Sequence, residues 1–127
     1  MCPVNAQGRE GVKPAMNTAG ARAEDEAVRF LRRQGLSVLE RNWRCRHGEL
    51  DVIAEDRGTV VFAEVRMRSG RGFGGAAESV TAAKRARLMA AARLYLRRRP
   101  QAPCRFDVLL LGPPPQAIEW IRDAFGE

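Results

Sequence analysis

Lysine is almost missing from this chain. Of 22 basic residues only Lys13 and Lys84 are lysine; the rest are arginine. The three cysteines, Cys2, Cys45 and Cys104, lie far apart and form no CxxC pair. That pattern argues against a disulfide framework and a zinc site, and a reduced, cytoplasmic setting is expected. No apolar run approaches the roughly 18 residues of a membrane span. Residues 1–18, MCPVNAQGREGVKPAMNT, lack the apolar stretch of a signal peptide and read as a disordered arm. Internal repeats are absent, and residues 19–127 read as a single domain.

What is present is ordinary in bulk and unusual in charge. A chain of 127 residues with 45% hydrophobic content can build one core without metal or disulfide staples. Its net charge of +7 favours a polyanionic partner. Arginine grips phosphate in bidentate fashion, so nucleic acid is the expected partner. A monomer or homodimer is expected, with no membrane contact.

Residues 19–34 (AGARAEDEAVRFLRRQ) read as a helix capped by Asn17 or Thr18 and stopped by Gly35. Ala23, Ala27, Val28 and Leu31 recur at helical spacing, and Glu24 falls on that apolar stripe. Strands are expected at 36–43, 50–55, 59–66, 105–111 and 117–121, and a long helix at 78–98 ended by Pro100. Val60, Val61, Phe62 and Ala63 leave no polar face, so the third strand should be central. Residues 67–77 form a glycine-rich loop, and GPPP at 112–115 a turn. Phe73 in that loop is a candidate for stacking on a base. The order α-β-β-β-α-β-β predicts an α/β domain, a mixed sheet flanked by helices.

Asp56-Arg57-Gly58 is a hairpin signal. If Arg57-Gly58 is the two-residue turn, Asp56 pairs with Thr59, and counting back sets Asp51 opposite Glu64; a turn at Asp56-Arg57 makes Glu64 its diagonal neighbour on the same face. Glu64 shares its strand face with Arg66, and Glu49 shares its face with Asp51. Paired carboxylates at the end of a buried strand repel and need a shared proton, a cation or an arginine. A hard divalent ion, Mg²⁺ or Mn²⁺, suits two carboxylates completed by waters and a substrate phosphate. The same spacing also fits a strand end where Arg66 merely neutralises an acid.

The wider pattern narrows the choice. An Asp followed by Glu-x-Lys, after a helix bearing a Glu, is the pattern of the PD-(D/E)xK nucleases, whose fold is restriction-endonuclease-like. Ala-Glu at 23–24, Arg-Asn-Trp-Arg at 41–44, GELDVIA at 48–54, VFAEVRMR at 61–68 and RFDV at 105–108 closely resemble the YraN family of small bacterial proteins. That family is in turn similar to archaeal Holliday-junction resolvases, and the resemblance spans roughly residues 19–125. It implies Asp51 and Glu64 as metal ligands, the Val65 carbonyl as a third, and Glu24 as an acid binding the ion directly or through water. It implies phosphodiester hydrolysis of DNA, branched or structured DNA included.

Arg66 departs from the pattern, which has lysine there. Arginine can stabilise charge but cannot take a proton. Lys84, on the core-side stripe of the long helix with Val80, Leu88, Ala91 and Tyr95, is the candidate replacement; a side chain snorkelling to the surface is the alternative. If neither serves, the fold is a nucleic-acid-binding module or protein-interaction partner without chemistry. Arg44, Arg46, Arg68, Arg71, Arg85 and Arg87, with the run Arg97, Arg98 and Arg99, are candidate phosphate contacts. Arg105 and Asp107 share a strand face and should pair. His47 stands two residues before Glu49 and is more simply a bystander. Trp43, Trp120 and Phe125 read as core or as an oligomer contact.

Overall fold

The structure is a computed structural model that describes residues 18–67, 80–112 and 118–126. The expected N-terminal arm, the body of the glycine-rich loop with Arg68, Arg71 and Phe73, and most of the GPPP turn lie outside these residues. The elements follow the expected order: α1 (Thr18–Arg33), β1 (Ser37–Cys45), β2 (Gly48–Asp56), β3 (Thr59–Met67), α2 (Ala82–Leu96), β4 (Cys104–Leu111) and β5 (Glu119–Phe125). The five strands form one sheet in the order β1-β2-β3-β4-β5. Only β3 and β4 run parallel, joined by the crossover through α2; the other neighbours are antiparallel.

β3 is central, as its unbroken apolar run requires, and Val60, Val61, Phe62 and Ala63 are all buried. Alternate side chains feed two cores. Ala23, Ala27, Val28 and Leu31 of α1 pack on Val52, Ala54, Val61 and Ala63. Leu88, Ala91 and Tyr95 of α2 pack on Ile53, Val60, Phe62 and Phe106 from the other face. Trp43 and Phe125 are core residues of the α2 side, whereas Trp120 is half-buried beside α1 and meets Phe30 edge-on at 5.7 Å.

The β2–β3 turn sets the register. Arg57 and Gly58 have φ of 51° and 90°, the left-handed pair of a type I′ turn, whose twist matches the strands. Asp56 faces Thr59, and the matched pairs run back to Val52 and Ala63. Some elements differ from expectation in extent. β2 starts at Gly48, because a two-residue turn at Arg46-His47 joins it to β1. α2 begins at Ala82 because Thr81 caps it, its hydroxyl accepting the Lys84 N–H at 3.1 Å. β5 runs on to Phe125 through an irregularity between its Phe106 and Val108 pairings. There Asp123 takes a φ of 53° and donates its N–H to the buried Asp107.

Candidate active site

Asp51 stands one residue beyond the last matched pair of β2 and β3, and the same count sets it opposite Glu64. Here the two strands part company: β2 continues on β1 to Gly48, and β3 continues on β4 to Met67. A side chain takes over from the ladder, since the Val65 N–H donates to Asp51 Oδ2 at 3.0 Å.

Glu64 is buried. Its Oε2 receives the Lys84 ammonium at 3.0 Å and the Arg66 guanidinium at 3.7 Å. Helical spacing explains the first contact. Lys84 lies one turn before Leu88 on the core stripe of α2, so its ammonium reaches over the sheet to β3 while its side chain stays partly exposed. Strand parity explains the second, since Arg66 follows Glu64 on the same face. Between the two acids a recess opens, floored by Leu50, Phe62, Leu88 and Phe106. Burial against this apolar floor, and then the Glu64 charge, push the Asp51 carboxyl up to about 8. The Val65 hydrogen bond opposes that rise without cancelling it.

Glu24 approaches from α1. Its Oε1 accepts the Asn42 side-chain amide at 2.9 Å and lies 3.9 Å from Arg41 Nη2. Its pKa is raised, first by burial, with Asn42 and Arg41 pulling the other way and Glu49 adding repulsion. Glu24 and Glu49 both repel the charge on Asp51, so the four acids form one electrostatic neighbourhood. Among the described residues no three Asp, Glu, His or Cys gather into a metal cage of their own. A magnesium-type ion does not need one: it keeps several waters and takes one or two carboxylates plus substrate phosphate. The Asp51–Glu64 pair is that kind of donor set, and the raised Asp51 pKa marks a negative charge the protein itself leaves under-compensated.

The expected phosphate contacts separate. Arg46 and Arg87 are exposed at the same end of the sheet as the carboxylates, and Arg44 is exposed with Glu49 at 3.7 Å. Arg85 is half-buried, donating to the Val80 carbonyl at 3.0 Å with its guanidinium 5.9 Å from the Phe125 ring centre. Arg98 and Arg99 are at the opposite end of the sheet, paired with Glu40 at 3.6 Å and Glu55 at 3.2 Å. They do not border the cleft, because α2 runs from the carboxylates at its start toward the β2–β3 turn at its end. Asn42 is the residue that the sequence reading passed over. It has a φ of 52° inside β1, and an asparagine within a strand was the available signal.

The model of the uncharacterised protein family UPF0102 matches residues 23–111. This chain belongs to that family. A UPF0102 protein of Cupriavidus taiwanensis is 53% identical over 116 residues, covering 89% of this chain and 86% of its own length. One from Methylobacillus flagellatus is 51% identical over 111 residues, covering 87% of this chain and 98% of its own. A third, from Nitrosomonas europaea, is 54% identical over 110 residues, covering 85% and 93%. The span matched by the UPF0102 model takes in Glu24, Asn42, Asp51, Glu64, Arg66 and Lys84.

Proposed function

We propose that this UPF0102 protein binds nucleic acid and hydrolyses phosphodiester bonds in DNA, branched or structured DNA included, with Mg²⁺ or Mn²⁺ held by Asp51 and Glu64. The observation that carries the reading is the Lys84 ammonium at 3.0 Å from Glu64 Oε2. A lysine on a core stripe, drawn onto one of two adjacent carboxylates, supplies the mobile proton that Arg66 cannot.

Asp51 and Glu64 would hold the ion, with Glu24 bearing on it through water. The ion, when bound, supplies Lewis-acid polarisation of the phosphate and a more acidic water. Lys84 orients the attacking water and carries a proton at Nζ. Arg66 contributes fixed positive charge toward the developing negative charge of the phosphate. The apolar floor of Leu50, Phe62, Leu88 and Phe106 limits bulk water beneath the pair and strengthens these interactions.

The test is incubation with Mg²⁺ or Mn²⁺ and single-stranded, duplex and four-way-junction DNA, alongside Asp51→Asn and Glu64→Gln. Cleavage confined to the wild type is expected; equal cutting by all three proteins would end the claim. The arginine at position 66 also suits a second reading, a nucleic-acid-binding module without chemistry. Under that reading salt-sensitive binding persists while no metal-dependent cleavage occurs.

A further inference from the structure

We infer that the end of the sheet opposite the carboxylates is a second nucleic-acid surface, a stripe of arginines that grips phosphates away from the site. This rests on the nucleic-acid reading above and adds to it where the chain is held.

Three elements meet at that end: the last turns of α1, the β2–β3 turn, and the segment that follows α2. Among the described residues the acids there are Glu40, Glu55 and Asp56. Each already has an arginine: Glu40 has Arg98 at 3.6 Å, Glu55 has Arg99 at 3.2 Å, and Asp56 shares Arg105, at 3.2 Å, with the buried Asp107. The remaining arginines are therefore surplus. Arg29, Arg32 and Arg33 are exposed on α1, Arg97 is exposed just past α2, and Arg57 is exposed at the turn. Among the described residues Arg29, Arg32, Arg33 and Arg97 make no ion pair, and Arg57 lies 3.7 Å from Asp56 with its side chain 92% exposed. Glu26, the nearest other acid along α1, lies one turn toward the opposite end of the helix.

Helix dipoles account for part of this charge, since Arg32 and Arg33 occupy the last turn of α1. They do not account for Arg57. The first position of a type I′ turn favours Asn, Asp or Gly, because its φ is positive. Arg57 holds a φ of 51° there with its side chain 92% exposed. A local strain that offers an exposed guanidinium to solvent, between two helix ends that carry exposed arginines, points to a ligand and not to folding. The surplus runs from one face of the sheet across its end to the other face, a curved track suited to a phosphate backbone.

A membrane surface would call for apolar side chains among the charges. Met67, at the other end of β3, is the exposed large hydrophobic residue among those described. The stripe is all arginine and no wedge, which favours nucleic acid.

The test is binding of a labelled duplex and a labelled single strand, by anisotropy, across a salt series in EDTA so that no cutting intervenes. The distal variant carries Arg32→Ser, Arg33→Ser, Arg57→Asn and Arg97→Ser; Arg57→Asn alone, which relieves the turn, guards against misfolding. The variant is expected to bind at least about tenfold more weakly near 0.15 M salt, with the log–log salt slope on duplex smaller by about 2 to 4. Arg57→Asn alone should lower the slope by about 1 while melting no lower than wild type. Affinity and slope equal to wild type would overturn the inference while leaving cleavage at the carboxylates untouched. Binding by the wild type in EDTA, with no cleavage when Mg²⁺ or Mn²⁺ is supplied, would sink the nuclease reading and leave this surface standing. Absence of DNA binding by the wild type, or binding only to vesicles of anionic lipid, would overturn both.

Discussion

Asp107 and Asp51 flank the same central strand, one on β4 and one on β2, and their surroundings are opposite. Asp107 has no exposed surface, yet its charge is fully answered. Arg105 Nε lies 3.0 Å and 3.2 Å from its two oxygens, and the Trp120 indole and the Asp123 N–H each donate at 2.9 Å. Asp51 has the Val65 N–H as its donor and carboxylates as its neighbours, and its pKa is pushed up to about 8. A buried acid that holds structure together is supplied with donors by the fold. One that serves a ligand is left short of them, because the ligand supplies the remainder.

The largest effect should come from removing the answered acid. Asp107→Ala leaves the Trp120 and Asp123 N–H groups without their acceptor and Arg105 with Asp56 alone, and breaking a buried pair of this kind costs roughly 3–5 kcal/mol. Asp51→Asn keeps an oxygen for Val65 and removes repulsion from Glu64, so its stability should stay within about 1 kcal/mol of wild type. Urea denaturation of both variants measures the contrast, and a larger loss for Asp51→Asn would reverse it.

The second contrast is between the two cations on Glu64. Lys84→Ala should lower the cleavage rate about 10²- to 10³-fold, the range for removing one placed electrostatic group. Arg66→Ala, which starts 0.7 Å further from the carboxylate by the difference between 3.7 Å and 3.0 Å, should cost at least about tenfold less. Single-turnover cleavage of a labelled DNA separates them. Equal losses would mean that Arg66 has taken the lysine's role.

Much of this could be read in the sequence, for identifiable reasons. The turn at Arg57-Gly58 fixes register locally, so the pairing of Asp51 with Glu64 follows from counting. The apolar run at 60–63 places β3 centrally, and the periodicity of α2 puts Lys84 on its inner stripe. The direction of α2 across the sheet is a tertiary fact, so the sequence could not show that Arg98 and Arg99 lie at the end away from the carboxylates. The full length of β5 was hidden because the Asp107–Asp123 contact breaks its alternation. Asn42 was hidden because a left-handed residue inside a strand leaves no periodic trace.

The under-compensated acid should also declare itself in the pH dependence of stability. Asp51 titrates ordinarily at 3.8 and in the fold at about 8. Between those values the folded state binds more protons than the unfolded one, so stability falls as pH rises through that window and levels off above about 8. Asp51→Asn should lack this decline. Millimolar Mg²⁺ should raise the wild-type melting temperature at pH 8 and leave Asp51→Asn unchanged, since an ion replaces the proton. Melting curves from pH 5 to 9, with and without Mg²⁺, read both. A flat wild-type profile would mean that Asp51 is better compensated than its neighbours suggest.

The smallest effect concerns how Glu24 is held beside this pair. Asn42 combines a φ of 52° with a 2.9 Å hydrogen bond to Glu24, so backbone and side chain can be separated by choice of substitution. Asn42→Gly keeps the left-handed backbone and loses the bond. Asn42→Ala loses the bond and adds about 1–2 kcal/mol of backbone strain. Alanine should therefore destabilise more than glycine by about that amount. Both should raise the Glu24 pKa further above 4.5, because the Asn42 bond is what lowers it most against burial. A carboxyl-resolved NMR titration reads the shift. If glycine and alanine cost the same, the strand is not strained at Asn42. If neither moves Glu24, its carboxylate is held by Arg41, and the asparagine serves the backbone alone.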